Sequence, residues 1–240
     1  MRNLVDNLGN LGGNAVRTAF LVERSDCQYF TEIEQRKAGF SGGDFEISPA
    51  AEAGSMILSK NGRPELYLFA GRQTVTAEGV EILALTVDTR IADGLPAREV
   101  VGVILDAGGI PVLSWAPGKW FFRRGQIVRE LIESFSPGEL LIGDTTLRPT
   151  VWIEPLLMRL AVRRGFAVMA GSDPLPFSGE EKYMGTYASV LDGPFDPDKP
   201  VTSVRKMLTT PGMRIVMAGK RCGPLEVIRR LRRNTASYRK

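Results

Sequence analysis

The sequence predicts an α/β fold assembled from parallel strand–helix units, and three observations carry that expectation. From Pro96 onward, short apolar runs alternate with amphipathic helical stretches at the spacing of β/α units. The apolar runs are short and nearly continuous, as strands buried on both faces are. Each run gives way to a loop rich in Gly, Pro or Asp, which delivers polar residues at the strand exit. Six or seven such units fit a barrel or a doubly wound sheet, and periodicity leaves both open. The 240 residues suffice for one substantial core, so residues 1–240 are expected to form a single domain.

Near the N-terminus, Asn3 to Asn14 mixes Leu with Asn and Gly and reads as a weak helix or a loop. Thr18 to Val22 is a buried strand that delivers Glu23, Arg24 and Asp26. Tyr29 to Lys37 reads as a helix closed by Gly39, and Phe45 to Ser48 as extended chain. Ser55 to Leu58, Glu65 to Ala70 and Val80 to Val87 are rich in β-forming residues. Asn61-Gly62 makes a hairpin turn between the first two, giving a small antiparallel excursion at residues 55–75.

The helix from Pro96 to Ala107 starts on Pro and stops at Gly108-Gly109. Strand Ile110 to Trp115, helix Arg124 to Phe135 and the short strand Leu140 to Ile142 follow, the last delivering Asp144. Pro149 to Arg164 reads as one long helix, and Phe166 to Ala170 as a strand ending on Gly171-Ser172-Asp173. A strand from Met213 to Ala218 precedes a helix from Pro224 to about Arg233, within a basic C-terminal segment at about 223–240.

One absence limits the chemistry. The chain has no histidine, which excludes histidine general bases, Ser-His-Asp triads and imidazole metal sites. Carboxylates alone would favour hard ions such as magnesium or manganese. Two cysteines without CxxC spacing support no disulfide framework. No apolar stretch approaches a membrane span, so a cytoplasmic protein without a membrane partner is expected. The net charge of +4 is uneven: residues 219–240 hold eight Lys or Arg and one Glu, leaving 23 basic and 26 acidic residues elsewhere. Nucleic acid is therefore an unfavoured partner.

Ligands in α/β folds gather at the carboxyl ends of the strands. The candidates at those exits are Gln73, Trp115, Lys119, Asp144, Arg148, Ser172 and Asp173, with Ser172 and Asp173 placed first. Taken singly, each has a plainer role: Asp144 and Asp173 suit helix caps or Asx turns. Their shared placement is what argues for a common pocket. Lys119 and Arg123-Arg124 at a helix start oppose the helix dipole, which an anionic partner would relieve. In the tail, Leu225, Ile228 and Leu231 form an apolar stripe, read as the docking face of a C-terminal helix.

The run Gly108-Gly109-Ile110-Pro111-Val112-Leu113 and the triplet Gly171-Ser172-Asp173 resemble motifs of the polymerase and histidinol phosphatase (PHP) superfamily. The resemblance spans roughly Leu66 to Ala188. It implies a distorted (β/α)7 barrel of the TIM type with a two- or three-metal phosphoesterase site. The metal-binding positions depart from the pattern: Gln73 stands at a Glu position, and Glu81, Trp115 and Leu175 at His positions. Asp144 falls near a family acid, and Asp173 matches the terminal Asp. The resemblance thus implies a PHP-like protein that has lost metal-dependent phosphoesterase activity, needs no cofactor, and binds a small anionic or phosphorylated ligand or a protein partner. The alternative is a hydrolase using Glu23, Asp26, Glu81, Asp144 and Asp173 around magnesium or manganese.

Overall fold

The computed structural model describes residues 1–35 and 43–237. The expected end of the second helix, through Lys37 to Gly39, lies outside the described residues, as do residues 238–240 of the tail.

The chain opens with helix α1 (Arg2–Gly12), strand β1 (Thr18–Glu23) and helix α2 (Tyr29–Gln35). Four strands follow: β2 (Glu46–Pro49), β3 (Ser55–Lys60), β4 (Arg63–Val75) and β5 (Glu81–Leu85). The β/α part comprises α3 (Ala97–Asp106), β6 (Ile110–Ser114), α4 (Phe122–Ser134), β7 (Leu141–Thr145), α5 (Leu156–Arg163) and β8 (Val168–Gly171). It ends in β9 (Tyr187–Leu191), α6 (Pro200–Thr209), β10 (Ile215–Gly219) and α7 (Pro224–Ser237).

The strands pair in the order β2-β3-β4-β5-β6-β7-β8, with β1 parallel on β4. The expectation of a parallel β/α barrel with only a small antiparallel excursion at residues 55–75 is corrected here. Pairs β2–β3, β3–β4, β4–β5 and β5–β6 are antiparallel, and only β1–β4, β6–β7 and β7–β8 are parallel. Among the described residues this path does not close into a seven-strand ring. The antiparallel step has a local cause: β4 and β5 are joined by only five residues, too few for a crossover helix. The Asn61-Gly62 turn is present, both residues having positive φ (51° and 72°). The hairpin is no excursion, however, because β4 is the strand on which β1, β3 and β5 all pair.

Two antiparallel steps restore direction, so β1, β4, β6, β7 and β8 all point the same way. Their carboxyl ends share one edge with the start of β5. That edge carries every residue singled out at the strand exits.

Both faces of β6 and β7 are covered, which explains their continuous apolar runs. Leu113 and Ile142 face a cluster with α3, α4 and α5, built on Val100, Ile104, Val128 and Ile132. Ile110, Val112 and Leu141 face the opposite cluster, with Val204 and Leu208 of α6. The Cβ absent from Gly109 would lie 2.7 Å from Val87 Cγ2, so β6 can start this close to its neighbours only with glycine. A third cluster places Val5 of α1 and Phe30 of α2 beneath β3 and β4.

The long helix expected from Pro149 is shorter: α5 starts only at Leu156. Pro155 restricts Glu154 to extended backbone, so the chain before it forms turns. The tail helix is docked, by a face that takes only Leu231 from the expected stripe. Val227 and Arg230 are buried, whereas Leu225 and Ile228 are 83% and 46% exposed.

Candidate functional site

At the exit of β7, Asp144 is fully buried and held by four donors. Arg148 gives Nε to Oδ1 at 2.7 Å and Nη2 to Oδ2 at 2.5 Å. The Tyr187 hydroxyl donates to Oδ2 at 2.8 Å, and the Thr145 amide to Oδ1 at 3.0 Å. The charge-assisted pair with Asp144 outweighs the burial that disfavours charge on Arg148 and lifts the guanidinium's pKa. Burial, with the neighbouring Asp144 carboxylate, pushes the Tyr187 phenol well above its usual range. These contacts use both carboxylate oxygens and leave Asp144 as a closed structural network.

At the next exit, Ser172 pins the loop: its Oγ accepts the Gly185 amide at 3.1 Å, and its carbonyl accepts the Thr146 hydroxyl at 2.5 Å. Asp173 follows with φ of 44°, a left-handed conformation that Asp tolerates better than most residues. Its surface is open to solvent, yet the protein around its carboxyl is as dense as around an interior group. Desolvation raises its pKa to about 6; the Glu81 carboxylate pushes the same way, while Arg230 and Lys119 oppose. Asp173, Glu81 and Lys119 thus sense one another across the exits of β8, β5 and β6.

Glu81 and Lys119 form an ion pair, Glu81 largely buried and Lys119 about a third exposed. Beside them opens a cleft of about 380 Å³ lined by Arg24, Ser25, Asp26, Gln73, Val75 and Asp93 together with Glu81. Asp93 shapes its wall, accepting from Ser25 Oγ at 2.9 Å and from the Val75 amide at 2.8 Å. Arg24 pairs with Asp26 at 2.8 Å.

The expected residues therefore separate. Gln73 and Glu81 line the cleft, and Lys119 and Asp173 stand beside it. Trp115 differs from the expectation that it lines a pocket: it is 1% exposed and lies in the core, edge-on to Trp152 at 5.8 Å. Asp144 and Arg148 are buried against each other, and Ser172 is spent on the loop. Glu23, a ligand in the alternative metal set, is buried beside Arg72 and accepts the Phe30 amide at 3.2 Å.

The metal site implied by the PHP resemblance does not fit these residues. Among the described residues no three His, Cys, Asp or Glu side chains gather to hold an ion. Instead Glu81 meets Lys119, Asp144 meets Arg148 and Glu23 meets Arg72.

Two features escaped the sequence reading. Arg230, 2% exposed, clamps Glu180 at 2.5 Å, donates to Thr146 Oγ1 at 2.9 Å and to the Asp173 carbonyl at 3.2 Å, and lies 4.1 Å from the centre of the Tyr183 ring. Its signal was faint: it lies three residues after Val227, but four other arginines nearby hide it. Tyr187 belongs to β9, which pairs antiparallel with β10 in a separate two-stranded sheet that the sequence reading did not identify.

Comparison with known proteins gives likeness at the level of fold. PsfC from Pseudomonas syringae PB-5123 is similar over 98% of this chain and 87% of its own, with a TM-score of 0.57 and 10% identity. The novel lesion-specific endonuclease PfuEndoQ from Pyrococcus furiosus is similar over 90% of this chain, with a TM-score of 0.52 and 12% identity, and this chain spans 53% of its length. No family profile matches the sequence, and no curated protein does. At these identities the likeness is one of fold alone.

Proposed function

We propose that the chain is a PHP-like protein in which side-chain ion pairs stand where a metal centre would, and which binds a small anionic or phosphorylated ligand at its strand-end cleft without hydrolysing it. The observation that carries this reading is the pairing of Glu81 with Lys119 and of Asp144 with Arg148. A carboxylate already neutralised by a fixed cation is a poor ligand for a divalent ion, because the cation must first be displaced.

Lys119 is the solvent-accessible cation of this site. Its partial exposure leaves the ammonium within reach of an incoming anion, and Arg24 borders the cleft. The cleft also carries Asp26, Asp93 and Glu81, so an anion enters against negative charge. Asp173, raised to about 6, is partly protonated near that pH, and the neutral acid can donate a hydrogen bond to an anion. Affinity for an anion that does not itself titrate there, such as sulfate, is accordingly expected to fall as pH rises through 6.

Calorimetric titration of the protein with inorganic phosphate and ribose 5-phosphate tests this, alongside p-nitrophenyl phosphate turnover with added manganese. The reading requires binding that weakens at least about tenfold in Lys119→Ala, the scale of a lost charge-assisted bond. It also requires no turnover. Manganese-dependent hydrolysis abolished by Asp173→Ala would overturn it.

A further inference from the structure

Three loops at the strand-exit end hold large apolar side chains out in water. After β6, Phe121 and Phe122 are 44% and 94% exposed; before and at the first residue of α5, Ile153 and Leu156 are 77% and 75% exposed; at the start of α7, Leu225 is 83% exposed. The loops are knitted together. The Phe121 ring lies 6.2 Å from that of Trp152, and the Trp152 carbonyl accepts from Arg148 at 3.1 Å and from Arg221 at 3.4 Å. The Thr150 amide donates to the Cys222 carbonyl at 3.0 Å. The apolar residues therefore project from one fixed platform.

Phe122 also has φ of 54°, a left-handed conformation that is strained for a bulky residue. Strained backbone of this kind clusters at functional positions. Charge is concentrated in the same place. Setting aside Lys119 and Arg148, which pair with Glu81 and Asp144, segments 119–124, 146–156 and 220–229 hold five Lys or Arg against two Glu, so the segments that carry the exposed apolar groups are basic.

We propose that this end of the molecule adheres to an anionic lipid bilayer surface. Phe122, Ile153, Leu156 and Leu225 enter the boundary between headgroups and acyl chains, Trp152 sits at headgroup level, and Arg123, Lys220 and Arg229 meet acidic headgroups. Charge complementarity selects the anionic surface. Exposure selects a bilayer over a protein, because these side chains stand proud of their loops, whereas a protein interface seats its apolar anchors in shaped pockets. No helix among the described residues is long and apolar enough to cross a membrane, and adhesion needs none. The proposal is independent of what the cleft binds.

Co-sedimentation of the full chain with phosphatidylcholine vesicles, with and without phosphatidylserine, is the test. Binding is expected only with phosphatidylserine, weakening as salt is raised. It should fall at least about tenfold in a Phe122→Asp/Ile153→Asp variant, and also in Lys220→Glu/Arg229→Glu. All four positions are exposed, so thermal midpoints should stay near that of the parent, which shows that the variants fold. Failure of the parent to sediment with phosphatidylserine vesicles at low salt would overturn the proposal. So would binding indifferent to Phe122→Asp/Ile153→Asp, or a concentration-dependent dimer abolished by that variant, which would assign the surface to a second copy of the chain.

Discussion

Arg148 grips Asp144 through two parallel bonds, Nε to Oδ1 at 2.7 Å and Nη2 to Oδ2 at 2.5 Å, with both side chains buried at the exit of β7. The pair fixes the loop between β7 and α5, since the same guanidinium reaches the Trp152 carbonyl at 3.1 Å. Replacing Arg148 by Met leaves a buried carboxylate uncompensated, a loss of about 3–5 kcal/mol. Tyr187→Phe removes one donor to that carboxylate and costs about 1.5–3 kcal/mol. The double variant Asp144→Asn/Arg148→Met, which removes both charges, should be clearly milder than Arg148→Met. Urea denaturation midpoints of the three proteins check this order.

Arg230 and Arg229 are neighbours in α7 with opposite fates. Arg230→Met unpairs the buried Glu180 carboxylate and is expected to cost about 3–5 kcal/mol. Arg229, 65% exposed and 4.0 Å from Glu226, contributes little, so Arg229→Met should stay within about 0.5 kcal/mol of the parent. Equal effects in thermal unfolding would contradict the assignment of Arg230 as the clamp of the tail.

These pairs show where the sequence was legible. Apolar runs such as Ile110–Ser114 and the Asn61-Gly62 turn announce themselves through local chemistry, and so β6 and the hairpin were identifiable. Strand exits were identifiable too, because loops follow strands. Strand direction was only partly so: the five-residue link makes β4 and β5 antiparallel, but β5 and β6 are antiparallel as well although α3 lies between them, where a β/α unit would be parallel. The division of the candidate residues is non-local. Trp115 became core because Trp152, 37 positions later, folds against it, and Lys119 was captured by Glu81 across 38 positions. In the tail, Leu225, Ile228 and Leu231 promised a docking stripe, yet only Leu231 packs with the buried face of Val227 and Arg230, where Glu180 takes the cation. A stripe of apolar residues tells which face of a helix shuns water, and not which face the fold covers.

Asp173 gives a pH dependence with a definite sign. Its folded pKa of about 6 lies above the ordinary 3.8, so between these values the folded protein binds more protons than the unfolded chain. Stability therefore falls as pH rises from about 4 to about 6 and is level above that. Asp173→Asn removes this limb: the variant should match the parent near pH 4 and exceed it near pH 7. Solvent access to the carboxyl keeps the gain below the full linkage value. Urea midpoints at the two pH values measure the difference, and a constant offset between parent and variant would exclude a raised carboxyl.

The central claim is that fixed Lys and Arg side chains, rather than metal ions, neutralise the acids at the strand ends. Elemental analysis of the untagged protein, followed by thermal-shift titration with manganese, magnesium and zinc, tests it most directly. The expected result is no stoichiometric metal and no saturable rise in melting temperature. One or more equivalents of bound metal, lost on Asp173→Ala or Asp144→Ala, would contradict the claim and make the carboxylate cluster a metal centre after all.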